Sequence, residues 1–132
     1  MPRYQRIAVD EHWRVAHAVD CALPGWLVLL PRRHLESMAE LTGAEAASLG
    51  VWQVRLARAL EVVTGCRKAY VAQFGEAEGF AHVHFHVVPR AGELPVEWRG
   101  PRVFGLLGAG GRAVPAERMD ELAGRLAEVL GG

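Results

Sequence analysis

The chain has 132 residues, 51% of them hydrophobic and 23% charged, and its 15 basic and 15 acidic side chains cancel. This length suits one domain over residues 1–132 with its own core. The neutral balance gives no electrostatic reason to expect nucleic-acid or membrane-surface binding, and no apolar run approaches the roughly 20 residues of a membrane-spanning helix. With no export signal and two distant cysteines, Cys21 and Cys66, the sequence predicts a cytoplasmic protein.

The first third of the chain is typical of strands separated by turns. Apolar β-forming runs stand on both sides of Asp10-Glu11, as expected of a hairpin. Pro24-Gly25 is a turn pair, and the apolar run after it ends at Pro31, as a buried strand would. The predicted elements are hairpin strands at residues 7–9 and 13–19, a loop at 20–25 and a strand at 26–30.

Two helices are predicted in the remainder. The first begins at a capping box, Thr42 to Glu45, and ends before Gly65. The second is amphipathic and has Pro115 in its first turn. The full set is a helical turn at 34–41, a helix at 43–64, strands at 69–74 and 82–88 around a glycine-containing loop, a flexible linker at 108–111 and a helix at 115–130.

A row of histidines is the most informative feature. Residues 82–88 read HVHFHVV, so half of the six histidines lie within five residues. Alternate side chains of a strand point to the same face. One face therefore carries His82, His84 and His86, and the other is apolar. A packed sheet gains nothing from such a row, so the pattern indicates chemistry.

Nucleophilic catalysis is the first chemistry that such a row supports. Neutral imidazole, with an ordinary pKa of about 6.5, can attack phosphorus to form a phosphoramidate that water then hydrolyses. The other ring nitrogen must hold the proton, usually by donating to a backbone carbonyl. A neighbouring histidine could supply positive charge or a proton.

Metal binding is the alternative reading of the row. Two adjacent histidines could share a zinc ion, with Asp20, His17 or His34 contributing from elsewhere. All three could do so only if the strand bent, because His82 and His86 would lie about 13 Å apart at Cα.

Two segments resemble the histidine triad (HIT) family. The His-φ-His-φ-His-φ-φ pattern, followed by Pro89-Arg90, is similar to the family signature, and residues 24–34, PGWLVLLPRRH, are similar to its other recurrent stretch. The resemblance covers roughly residues 10–105, followed by a C-terminal helix at 113–132. It implies an α+β fold: an antiparallel sheet of about five strands with a long helix packed on one face. It also implies a homodimer.

The resemblance further implies a hydrolase that cleaves at the α-phosphate of a phosphoramidate, a nucleotidylated amine or a dinucleoside polyphosphate. His84 would be the nucleophile, His86 would contact the phosphate and leaving group, and His82 would support them, with no cofactor and no metal. A catalytically weak nucleotide-binding dimer and a nucleotidyltransferase are the alternatives. The nucleotide-binding positions would be Asp20, Trp26, His34, Gln73 and Gly79.

Two departures from the family pattern stand out. Trp26 occupies a position where many relatives have a histidine, which suggests a changed environment for the catalytic row or an aromatic wall against a base. The loop before the row is about two residues shorter than usual, has no hydroxyl and contains Glu76 and Glu78. Substrate specificity therefore depends on how this loop is built.

Overall fold

The computed structural model describes residues 1–76 and 82–131. Five strands form one antiparallel sheet in the order β1-β2-β3-β5-β4. The predicted α+β class and strand number are therefore confirmed. The elements are β1 Ala8–Val9, β2 Trp13–His17, β3 Leu27–Pro31, α1 Gly43–Thr64, β4 Lys68–Ala72, β5 Phe85–Arg90 and α2 Ala116–Gly131, joined by short 3₁₀ turns.

Helix α1 has the bounds that the sequence predicts. The Thr42 hydroxyl accepts a hydrogen bond from the Glu45 amide (3.1 Å), and the Glu45 carboxylate accepts one from the Thr42 amide (2.8 Å). Two amide groups that the first turn leaves unpaired are thereby satisfied. Gly65 ends the helix in the left-handed region, at φ +70°.

The main core lies between the helices and one face of the sheet. Helix α1 contributes an apolar stripe at helical spacing, and the sheet contributes alternate residues of β2, β3 and β5. The valines and phenylalanine that alternate with the histidines belong to this core, as the pattern predicted. Its buried members include Trp13, Val15, Leu56, Leu60, Val83, Phe85, Val87, Leu122 and Leu126.

The histidine strand begins three residues later than the predicted 82–88 and extends to Arg90. Its pairing to β3 begins at Phe85, opposite Leu29, so His82 to His84 precede the strand. The Val83 amide instead donates to the carbonyl of Leu35 at 2.7 Å. At Val83, a carbonyl from a loop thus takes the place of a partner on the neighbouring strand. The Val83 side chain is still buried, so the alternation of the side chains is kept.

The predicted linker at 108–111 is wrong. The amides of Ala109 and Gly110 donate to the Asp20 carbonyl (3.2 Å) and to Asp20 Oδ1 (2.9 Å). Val114 and Cys21 are also joined, through an amide-to-carbonyl bond of 2.7 Å. The segment is therefore fastened to the loop after β2, and it forms one end of the cavity described below. No helix in residues 1–76 or 82–131 is long and apolar enough to cross a membrane.

Candidate active site

The three histidines of the row lie along one wall of a cavity of about 730 Å³. The ring centroids of His82 and His84 are 5.5 Å apart, and those of His84 and His86 are 4.9 Å apart. The ring of His34 lies 5.7 Å beyond His82. The structure thus brings together four imidazoles, three from the signature and one from the loop after β3.

One ring nitrogen of His84 is held by the backbone. Its Nδ1 lies 2.9 Å from the backbone carbonyl of His82. A carbonyl oxygen can only accept, so Nδ1 carries the proton and donates it. In the neutral ring, Nε2 then carries a lone pair, and the ring lines the cavity.

His86 has the opposite proton arrangement. The indole Nε1 of Trp26 donates to His86 Nδ1 at 2.9 Å, and both side chains are buried. Because an indole nitrogen is only a donor, His86 must accept at Nδ1 and hold its own proton on Nε2. Burial, and the nearby His84, lower the pKa of His86 to about 4. The residue is therefore neutral at pH 7.

A buried histidine outside the row holds the turn before β3. His17 Nδ1 donates to the Ala18 carbonyl (2.8 Å), and Nε2 accepts from the Gly25 amide (2.9 Å). Burial lowers the pKa of His17 and so favours the neutral ring, which is the form that makes both hydrogen bonds. Both ring nitrogens are thus engaged, so His17 does not provide the metal ligand that the zinc hypothesis requires.

Gly25 is required in the turn that His17 holds. Its φ is +91°, and an added Cβ would lie 3.2 Å from both Pro89 Cγ and Thr64 Cγ2. A side chain at this position would therefore be strained by its backbone and crowded by its neighbours. The turn that carries Trp26 into the sheet is fixed in this way.

An aromatic wall closes one side of the cavity. Phe104, from the 3₁₀ segment Gly100–Leu106, meets three rings edge to face: His86 at 4.9 Å, Trp26 at 5.3 Å and Phe74 at 5.2 Å. Phe74 is 60% exposed. The sequence predicts a strand at 69–74 but gives Phe74 no role at the site; the structure ends β4 at Ala72, which leaves Phe74 outside the strand and against Phe104.

The predicted nucleotide-binding residues divide into three groups. Asp20 lines the cavity, although its Oδ1 is already used by Gly110, and His34 lines the adjoining cleft. Trp26 is fully buried behind His86 and does not line the cavity, so it is not a wall against a base. Gln73 is not among the described residues that line the cavity. Gly79 lies outside the described residues.

A basic cleft continues from the cavity beyond His82. It measures about 290 Å³ and shares Arg14, Leu30 and His82 with the main cavity. Alternation along β2 places Arg14 on the face opposite Trp13, a signal that the sequence contained. The cationic and imidazole side chains around the cleft are Arg6, Arg14, Arg32, Arg33, His34 and His82, and no carboxylate is among the described residues that line it.

The arginines of this cleft are largely held by backbone carbonyls. Arg14 donates to the Gln5 carbonyl and Arg32 to the Asp10 carbonyl. Arg33 is paired with the Glu45 carboxylate at 2.7 Å. The positive charge of the other three arginines is therefore not compensated by a carboxylate within the described part of the cleft. Arg14 also contributes to lowering the pKa of His82, after burial and the neighbouring histidines.

The placement of potential metal ligands is known for the described part of the chain. Within residues 1–76 and 82–131, no three His, Cys, Asp or Glu side chains are arranged to hold an ion. In the histidine row, the Nδ1 atoms of His84 and His86 already make hydrogen bonds, to the His82 carbonyl and to the Trp26 indole.

Comparisons of the sequence and of the structure with known proteins both match histidine triad proteins. The model of the HIT domain matches residues 3–93, so the chain belongs to the histidine triad family. A histidine triad protein from Sinorhizobium meliloti 1021 is 28% identical, with a TM-score of 0.75 over 93% of this chain and 87% of that one. One from Bradyrhizobium japonicum is 25% identical, with a TM-score of 0.77 over 95% of this chain and 89% of that one.

A third similar structure is a zinc-bound histidine triad family protein from Mycobacterium smegmatis. It is 19% identical, with a TM-score of 0.69 over 97% of this chain and 84% of that one, and it shows the shared fold. No curated protein matches the sequence.

Proposed function

We propose that this protein hydrolyses nucleotide conjugates at the α-phosphate, with His84 as the nucleophile. The carrying observation is the 2.9 Å hydrogen bond between His84 Nδ1 and the His82 carbonyl. It supports the neutral tautomer with the proton on Nδ1, whose Nε2 can attack phosphorus. Family membership supports the same chemistry.

The reaction would proceed in two displacements. His84 Nε2 attacks the α-phosphorus, the bond to the leaving group breaks, and the leaving group departs with the bonding electron pair. Water then attacks the phosphorus of the nucleotidyl-histidine, the P–N bond breaks with its electron pair returning to His84 Nε2, and the proton of the water passes to solvent. The products are a nucleoside monophosphate and neutral His84. Hydrogen bonds from neighbouring imidazole N–H groups would stabilise the charge on the phosphate oxygens.

The cavity offers different surfaces to the two ends of such a substrate. Phe74 and Phe104 provide aromatic surface on which a base could pack. Asp20 lines the same cavity, and its carboxylate could accept hydrogen bonds from ribose hydroxyls. Roles for Gln73 and Gly79 in phosphate binding remain predictions.

Loss of catalysis in the His84→Ala variant would test this proposal. AMP release from diadenosine triphosphate and from adenosine 5′-phosphoramidate is measured with chelator present. We expect the wild type to release AMP and His84→Ala to release none. His12→Ala, at a histidine in the β1–β2 turn outside the cavity, should behave as the wild type. Turnover by His84→Ala would contradict the proposal, and absence of wild-type turnover would favour the catalytically weak binding dimer.

We also propose that the protein is a cytoplasmic homodimer. Val51, Val54 and Val62 of α1 and Val71 of β4 are between 47% and 69% exposed, and helical spacing puts the three α1 valines on one side of the helix. A second copy packed on this face would bury them. Val54→Glu should then shift the mass in light scattering from a dimer toward a monomer, whereas an unchanged mass would remove these valines from any interface.

A further inference from the structure

We infer that Trp26 is a positioning residue which keeps His86 neutral with its proton on Nε2, so that the site favours leaving groups that depart as anions without taking up a proton. This inference rests on the proposed function, which it makes more specific. It concerns a position at which the chain departs from the family pattern.

The Trp26 indole has little freedom to turn away from His86. Its side chain is fully buried, its carbonyl accepts from the Ala18 amide at 2.9 Å, and its amide donates to the Leu23 carbonyl at 3.3 Å. Phe104 packs edge-on against the indole. The backbone and the ring are thus both fixed, and the N–H group is held against His86 Nδ1.

Neighbouring groups do not favour a charged His86. His84, which just precedes β5, is its titratable neighbour in the row. Val28 and Ala72 are its partners on β3 and β4, and Phe104 packs edge-on against its ring. No described carboxylate makes a hydrogen bond to His86. The charged or titratable side chains that share the cavity wall with it are Arg14, His17, Asp20, Glu76, His82 and His84.

A neutral imidazole acts differently from an imidazolium. Its Nε2–H can donate a hydrogen bond to a phosphate oxygen, but loss of that proton would leave an imidazolate, which is strongly unfavourable near pH 7. His86 is therefore a hydrogen-bond donor and not a proton source. An amine leaving group must gain a proton as the P–N bond breaks, whereas a phosphate chain can leave as a stable anion.

The basic cleft agrees with this preference. A phosphate chain leaving the α-phosphorus beside His82 could reach Arg6, Arg14 and Arg32, which supply positive charge without a carboxylate in the described lining. Phosphoanhydride conjugates of nucleotides therefore fit this site better than phosphoramidates. The expected reaction breaks a P–O bond, and the departing phosphate keeps the electron pair.

Two measurements test the inference. In ¹⁵N NMR of the whole protein without substrate, we expect His86 to show the Nε2–H tautomer at pH 7 and to titrate near its lowered pKa of about 4. In Trp26→Phe the donor is lost, so the pKa of His86 should rise and the second tautomer should appear. Wild-type His86 with its proton on Nδ1, or charged at pH 7, would overturn the inference.

The kinetic measurement is the ratio of kcat/KM for diadenosine triphosphate to that for adenosine 5′-phosphoramidate. We expect the ratio to fall at least about tenfold in Trp26→Phe, because the higher pKa of His86 makes its protonated form, which can assist the amine leaving group, easier to reach. Trp26→His, which can donate or accept, should lie between. The matched control is Trp13→Phe. The Trp13 indole is buried, does not line the cavity and donates to Ser48 Oγ, with 2.9 Å between the two atoms.

The outcomes separate the inference from the proposed function. Equal falls in both activities, with an unchanged ratio, would leave Trp26 a merely structural residue and refute the leaving-group claim. If the wild type cleaved neither substrate, the proposed function and the leaving-group claim would fail together. The NMR result would still decide whether Trp26 positions the His86 proton, since it needs no turnover.

Discussion

Replacing Phe104 by leucine should destabilise the protein measurably and loosen the catalytic wall. The leucine keeps apolar bulk but removes three edge-to-face contacts, with His86, Trp26 and Phe74. Such contacts contribute about 0.5–1.5 kcal/mol each beyond buried area. Phe104 is only half-buried, so we take the low end, and the free energy of unfolding should fall by about 1.5 kcal/mol.

Urea denaturation of the wild type and of Phe104→Leu measures this loss. A double-mutant cycle with Phe74→Leu isolates one contact, and its coupling energy should be about 0.5 kcal/mol. We expect KM for diadenosine triphosphate to rise more than kcat falls, because the ring forms a wall of the cavity and makes no bond to the reacting phosphorus.

An unfolding free energy within about 0.3 kcal/mol of the wild-type value, together with no coupling to Phe74, would refute the reasoning. The aromatic wall would then contribute nothing to stability in solution. A large loss without coupling would instead show that Phe104 acts through burial alone, and the edge-to-face geometry would be irrelevant.

Two further predictions concern charged groups. Hydrogen bonds from Arg33 lower the pKa of Glu45 from its ordinary 4.5 to about 2, so its stabilisation is complete above about pH 4.5 and is lost as the pH falls toward 2. From pH 7 to 5, the free energy of unfolding of the wild type should exceed that of Glu45→Gln by a constant amount. At lower pH the two free energies should converge. A difference that persists at pH 2 would contradict the role of the Glu45 charge. Replacing Arg6 and Arg32 together by glutamine should raise KM for diadenosine triphosphate and weaken its salt dependence. Arg58→Gln, on the exposed side of α1, should do neither; equal effects would remove the cleft from substrate binding.

The elements that could be predicted carry local signals. Helix α1 has a recognisable signal at each end, the capping box of Thr42 and Glu45 at its start and Gly65 at its end. Its bounds therefore follow from the sequence alone. The histidine row has a strict two-residue alternation, which places Val83 in the core even where the strand itself has not begun. The local pattern therefore predicts which side of the sheet each residue faces. It does not predict the residue at which the strand begins.

The parts that could not be predicted depend on contacts between distant segments. The Leu35 carbonyl that replaces the ladder at Val83 comes from another loop. The segment containing Gly110 is held by Asp20, and glycine-rich composition alone indicated a linker. Trp26 was recognised as unusual, but only the fold shows that its indole donates to His86.

The most direct test of the central claim is to trap the covalent intermediate on His84. The wild type is mixed with diadenosine triphosphate and chelator, quenched in alkali during the first turnovers, digested, and analysed by mass spectrometry. We predict a nucleotidyl group on His84 that forms and decays at rates compatible with turnover, and none in His84→Ala. Turnover without an adduct, an adduct on another residue, or loss of turnover on chelation would contradict metal-independent catalysis through His84.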